Sequence, residues 1–226
     1  MSRLLPFALL TAVAVVVLLV AELRGWKRVA GIAKGVASSA FVAAALVAGA
    51  TGTTYGRVLL VAFACSWLGD VLLLSSEDKA FLAGLSAFLL AHVAFAIAFV
   101  VLGIEVRVAA VAAVVMAAVG LAIGRWLLPH LSAGMRVPVI AYMTALCTMV
   151  TLAAGAAWSR PDARFLLPAA VAFFISDISV ARGQFVKPGI SNQVWGLPLY
   201  YAAQLAFAWS AAMVLAPVMI LAPAPG

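Results

Sequence analysis

The chain has 226 residues, of which 67% are hydrophobic and 9% charged, with a formal net charge of +7 and a mean hydropathy of +1.22. Soluble globular domains carry about 45–50% apolar and about 25% charged residues, so a water-soluble fold is excluded and the bilayer is the solvent. The positive charge does not point to nucleic acid, because the basic residues are scattered between apolar runs; they read as interfacial anchors and topology signals.

In hydrocarbon every backbone N–H and C=O needs an internal partner, which leaves helices or closed barrels. Barrel strands would alternate apolar and polar residues, whereas this chain shows runs long enough to cross about 30 Å as helices. Eight spans are expected, at 4–22, 29–49, 57–75, 79–101, 106–128, 136–157, 163–181 and 194–216. The expected fold is an all-α polytopic membrane helix bundle forming a single domain over residues 1–226.

The first span ends at Ala21-Glu22-Leu23-Arg24-Gly25 with no small-x-small cleavage site, and reads as a retained anchor. The second carries Lys34, either a snorkelling interfacial lysine or a phosphate ligand and partner for an acid. The third holds Cys65-Ser66-Trp67-Leu68-Gly69-Asp70. In the fourth, Phe81, Gly84, Phe88, His92 and Phe95 recur on one helix face. His92 is either a core histidine bonded to a carbonyl or a site residue. The sixth has Tyr142 one turn after Pro138, and the seventh has Phe173-Phe174-Ile175-Ser176-Asp177. Asn192 and Gln193 fall in a loop and receive no role. The eighth opens with Tyr200, Tyr201 and Gln204. The tyrosines belong either to an aromatic belt or to a site, and Gln204 lies deeper, bonding inside the bundle. Residues 216–226 read as a proline-interrupted tail. Cys65 and Cys147, each in an apolar run, support neither a disulfide framework nor a metal site.

Of the seven acidic residues, Asp70 and Asp177 lie within apolar spans. A carboxylate at depth costs about 2.5–3.5 kcal/mol on insertion scales, and such residues face the bundle interior. Each is either a hydrogen-bonded strut or a functional group. Both lie toward the C-terminal ends of spans running in the same direction, so both approach one side of the membrane. Two carboxyls in one water-poor cavity, one protonated and one ionised, are equipped as a general acid and a general base. With the N-terminus outside, short loops place nine basic residues on the cytoplasmic side and five opposite, which puts the acidic pair toward the cytoplasm. Gly69-Asp70 and Ser176-Asp177 also hint at a duplication of four helices.

No Gly-x-Ser-x-Gly elbow, zinc-protease motif, P-loop or Rossmann pattern occurs. The chain resembles the YhhN-like family of membrane proteins, whose animal members are lysoplasmalogenases. The resemblance rests on Lys34 (followed here by Gly35 where the family has proline), Gly69-Asp70-Val71-Leu72-Leu73, Phe81-x-x-Gly84-x-x-x-Phe88-x-x-x-His92-x-x-Phe95, Pro138-Val139-x-x-Tyr142, Phe173-Phe174-Ile175-Ser176-Asp177 and Tyr200-Tyr201-x-x-Gln204. It implies cleavage of the vinyl ether of a lysophospholipid, giving a fatty aldehyde and a glycerophospho head group, without metal or cofactor. One of Asp70 and Asp177 would donate the proton and the other stabilise the cation, with the order open. His92 and Tyr201 would orient water or carboxylate, with Tyr142, Tyr200 and Gln204 nearby. Lys34 would hold the phosphate, and Phe88, Phe173 and Phe174 would line the chain channel. The expected partners are a lysophospholipid and membrane lipids; the sequence leaves oligomeric state open. The competing readings are a proton-coupled lipid or small-solute transporter using the same pair, and a scaffold in which both acids are struts.

Overall fold

The computed structural model describes residues 3–75 and 77–220, with the backbone alone for 215–220. Among the described residues the structure is helical and without strands. The helices are α1 (Leu5–Arg24), α2 (Lys27–Val47), α3 (Thr54–Leu72), α4 (Asp78–Leu102), α5 (Val106–Leu127), α6 (Ala133–Ser159), α7 (Leu166–Ala181) and α8 (Ile190–Ile220). All eight, with their flanking turns, are long and apolar enough to cross a membrane. The first five residues of the tail anticipated from 216 onward belong to α8, and 221–226 lie outside the described residues.

The ends of the helices follow from local chemistry. Pro6 enters the first turn of α1, where its missing N–H costs nothing. Gly25 ends that helix with φ 70°, a left-handed conformation that favours glycine. Thr53 caps α3 by accepting from Gly56 N at 2.9 Å, and Glu105 caps α5 through Arg107 N at 3.2 Å. At 1.5 Å per residue the 16 residues of α7 would reach only about 24 Å. A 3-10 turn at Pro161–Ala163 and a π turn at Arg182–Val186 lengthen it. Asn192, placed in a loop by the sequence reading, instead lies buried in the first turn of α8. It accepts from Arg182 and donates to the carbonyls of Lys187 and Gly189, at 2.8 and 3.1 Å, fastening the α7–α8 connection.

The bundle interior is made of alanine and aromatic rings. Ala33, Ala37, Ala40 and Ala44 form the buried stripe of α2, and Phe41, Phe63, Phe95, Phe99, Phe173 and Phe207 are fully buried. Lipid tails are as apolar as leucine, so association rests on close packing, which small residues permit. The outward faces are apolar too, with Leu9, Val13, Val16, Ile32, Val111 and Val114 exposed. Trp26, Trp126 and Trp158 sit exposed near helix ends, where indoles match the headgroup region. The α3–α4 and α7–α8 pairs pack along their lengths, α4 reaches across to α6, and α8 to α2. Helix α5 is outermost, packed on α6, with Ala109 and Leu127 as its buried residues.

Candidate active site

Both aspartates sit near the C-terminal ends of their helices, Asp70 on α3 and Asp177 on α7. Gly69 makes room beside the first: a Cβ there would lie 2.6 Å from two ring carbons of Phe88. Its absence lets α4 close on α3 at the level of the carboxyl.

Asp70 is buried and takes donors from two other helices. Its Oδ2 accepts from Ser38 Oγ and from the Tyr200 hydroxyl, each at 2.7 Å, and Lys34 Nζ stands 3.3 Å from Oδ1. Lys34 and Ser38 are one turn apart on α2 and share a face. Ser38 has one proton and gives it to Asp70, so in its 3.0 Å contact with Tyr201 the tyrosine donates. The Tyr201 hydroxyl also lies 3.4 Å from the Lys34 carbonyl. Every group facing the Asp70 carboxyl is a donor, the arrangement that suits an ionised, acceptor-only carboxylate.

Asp177 has a different set of partners. Its Oδ2 accepts from the Tyr142 hydroxyl at 2.8 Å and lies 3.1 Å from His92 Nε2. His92 is fully buried, and its Nδ1 is 2.6 Å from the Phe88 carbonyl one turn back. A carbonyl only accepts, so Nδ1 carries a hydrogen. The Nε2–Oδ2 contact is within ion-pair reach but poorly aligned for a hydrogen bond. Asp177 thus meets one hydroxyl and one ring nitrogen, whereas Asp70 is met by donors alone.

The two carboxyls are bridged by rings. His92 lies 4.7 Å from Phe173 and 5.2 Å from Tyr142 between centroids, Phe173 lies 5.2 Å from Tyr200, and Phe88 lies 5.9 Å from Tyr200. Phe88 and Phe173 thus stand in the wall joining the acids, and Phe174, also buried, is the next residue on α7. Gln204, one turn past Tyr200, is fully buried with neither amide atom hydrogen-bonded. Ser66, one turn before Asp70, is likewise buried with its hydroxyl unpartnered. The sequence reading missed Ser38 and Ser66; their signal was the one-turn spacing from Lys34 and from Asp70. Among the described residues no three His, Cys, Asp or Glu side chains gather as metal ligands would.

Beside this centre, Phe7, Leu10, Ile32, Gly35, Val36 and Ser39 line an apolar groove of about 430 Å³ between α1 and α2, open to the lipid side.

Comparison with known proteins gives a consistent result. The sequence model of the YhhN family matches residues 3–211. Proteins named lysoplasmalogenase from Mycobacterium bovis (strain ATCC BAA-935 / AF2122/97) and Mycobacterium tuberculosis (strain CDC 1551 / Oshkosh) are each 33% identical over 152 residues, which is 60% of this chain and 55% of theirs. The match thus spans about half the length of these curated relatives. No solved structure matches the chain significantly.

Proposed function

The chain belongs to the YhhN family, and from that premise we propose that it is a lysoplasmalogenase-like hydrolase acting within the bilayer on the vinyl ether of an alkenyl glycerophospholipid. The reading is carried by one observation: a buried acid and a half-buried one on separate helices, differently furnished with polar partners, joined through a wall of aromatic rings. Its similarity to proteins named lysoplasmalogenase supports the choice of substrate.

Hydrolysis of a vinyl ether begins with proton transfer to the β-carbon, which leaves an oxocarbenium ion across the α-carbon and the ether oxygen. Water attacks the α-carbon and gives up a proton; the hemiacetal then collapses to fatty aldehyde and glycerophospho alcohol. Such a reaction needs a proton donor, a nearby negative charge and a held water. In our reading Asp177, beside His92, supplies the proton, with Tyr142 orienting the carboxyl. Asp70, held by Lys34, Ser38 and Tyr200, is the standing anion that stabilises the cation and takes the proton from the attacking water. Tyr201 steadies Ser38, and Gln204 lies next to this half of the site. Lys34, 3.3 Å from Asp70, would meet an entering phosphate from the α2 side of the site. The groove suits lateral entry of a lipid chain, and the rings of Phe88, Phe173 and Phe174 give the chain an apolar wall. The chemistry needs no metal, and the basic loops favour a site toward the cytoplasm.

The test is aldehyde release from a lysoplasmalogen by the purified chain in detergent, with Asp70→Asn and Asp177→Asn alongside. We expect turnover without any ion gradient and a drop of about 100-fold or more in each variant, the low end of what general acid–base groups supply, with thermal unfolding showing a folded protein. Full activity in both variants, or gradient-dependent lipid movement with no aldehyde, rejects the hydrolase.

A further inference from the structure

Helices α4 and α8 carry one pattern twice. Gly84-x3-Phe88-x3-His92-x2-Phe95 in α4 returns as Gly196-x3-Tyr200-x3-Gln204-x2-Phe207 in α8. The glycines do the same work, Gly84 facing Leu73 at the C-terminal end of α3 and Gly196 facing Ser179 of α7. The packing repeats with the sequence: α1–α2 corresponds to α5–α6, α2–α3 to α6–α7, α3–α4 to α7–α8, and α4–α6 to α8–α2. Asp70 and Asp177 are counterparts on α3 and α7. Each accepts a hydroxyl from the helix before its own, Ser38 on α2 and Tyr142 on α6. Each also meets a side chain of α8 or α4, Tyr200 or His92. Four helices return the chain to the same side, so the relation is a parallel repeat about an axis along the membrane normal.

The halves part company one turn deeper than the acids. In one half Phe173 stands four residues before Asp177 and His92 rests on its ring at 4.7 Å. In the other half those two places are held by Ser66 and Gln204. A serine in place of phenylalanine gives up the volume of a ring, and glutamine in place of histidine keeps a polar group at the same level. Both are fully buried, and Ser66 Oγ, Gln204 Oε1 and Gln204 Nε2 are all without hydrogen-bond partners. Buried polar groups are costly unless they are met.

We infer that the chain is a tandem duplication whose first half has exchanged an aromatic–imidazole contact for a hydroxyl-binding niche made by Ser66 and Gln204. The amide offers a donor and an acceptor, and the serine hydroxyl can be either. That set suits a neutral O–H group, which both gives and takes, better than an ion or a hydrocarbon chain. The inference rests on the hydrolase reading for its two sources of that hydroxyl: the free sn-2 hydroxyl of a lysolipid, or the water that attacks the oxocarbenium ion. In both cases Ser66 and Gln204 position a group beside Asp70.

The experiment uses the purified full chain with four lipids. Two are saturated 1-O-alkyl lysophospholipids, inert to hydrolysis, with and without the sn-2 hydroxyl, and two are the corresponding alkenyl compounds. Binding is read with the first pair and turnover with the second, for wild type, Gln204→Leu and Ser66→Ala; the serine change carries the test should the glutamine variant not fold. If the substrate supplies the hydroxyl, wild type binds the hydroxyl compound about tenfold tighter than the deoxy compound, and the variants lose that preference. If water supplies it, the inert pair bind alike to all three proteins, while kcat falls about tenfold or more in the variants at unchanged KM. Variants that keep the wild-type preference and stay within twofold in kcat overturn the niche and leave the hydrolase standing. A hydroxyl preference that the variants lose, with no aldehyde from any protein, removes the hydrolase and keeps the niche. Failure of wild type to bind either inert lipid, or binding with neither preference nor turnover, removes both.

Discussion

Asp70 is a carboxylate placed where a bilayer would ordinarily forbid one, and its neighbours explain its presence. Lys34 cancels its charge across 3.3 Å, and two hydroxyls at 2.7 Å satisfy one oxygen. Removing one member of a buried pair leaves the other uncompensated. Lys34→Met is therefore expected to destabilise the fold by roughly 3 kcal/mol, the low end for such a change because Ser38 and Tyr200 remain as donors. The double variant Lys34→Met/Asp70→Asn is expected to regain most of that loss, since the stranded charge is gone. Thermal unfolding of the three proteins in one detergent measures this, and a double variant no more stable than Lys34→Met alone would show that the pair is not coupled.

At the scale of helices, the site depends on how closely α3, α4, α7 and α8 approach. In an open helix a glycine-to-alanine change gains up to about 1 kcal/mol. At Gly69 the added Cβ would meet the Phe88 ring at 2.6 Å, and overpacking of that kind costs about 1–3 kcal/mol. Gly69→Ala is thus expected to lower the unfolding temperature, and a smaller side chain in Gly69→Ala/Phe88→Leu to recover it in part. A rise in stability on the single change would mean that Phe88 does not close on Gly69. The same reasoning explains the glycines of α4 and α8: they hold the helix pairs together so that side chains one and two turns away meet across the interface.

At the scale of the whole molecule, eight helices return the chain to the side on which it began, and the basic loops predict an orientation with both termini outside. In a Cys65→Ala/Cys147→Ala background, Arg164→Cys is expected to react with a membrane-impermeant maleimide on intact cells. Lys79→Cys, in the first turn of α4, is expected to react only after permeabilisation. The reverse labelling would invert the bundle and move both acids to the outer leaflet. The parallel repeat and the outlying α5 also mean that the two halves are not equal in exposure: α5 packs chiefly on α6, whereas α1 packs on both α2 and α8.

The sequence by itself determined the solvent, the helical class and the eight spans, because long apolar runs in a chain with 9% charged residues admit no other arrangement. It also singled out Asp70, Asp177 and His92, since a polar group inside such a run stands out against its surroundings. The partners of those groups were decided only by tertiary structure. Ser38 and Ser66 are ordinary residues in a membrane helix, and their bearing on Asp70 depends on the rotation and depth at which α2 and α8 meet α3. Asn192 looked like loop because its role is to hold two turns that exist only once α7 and α8 are docked. The contrast between a carboxyl surrounded by donors and one facing His92 and Tyr142 likewise depends on which nitrogen faces which oxygen. Span periodicity is a property of one helix and its solvent, while the chemistry of the site is a property of distances between helices, which no single run of residues encodes.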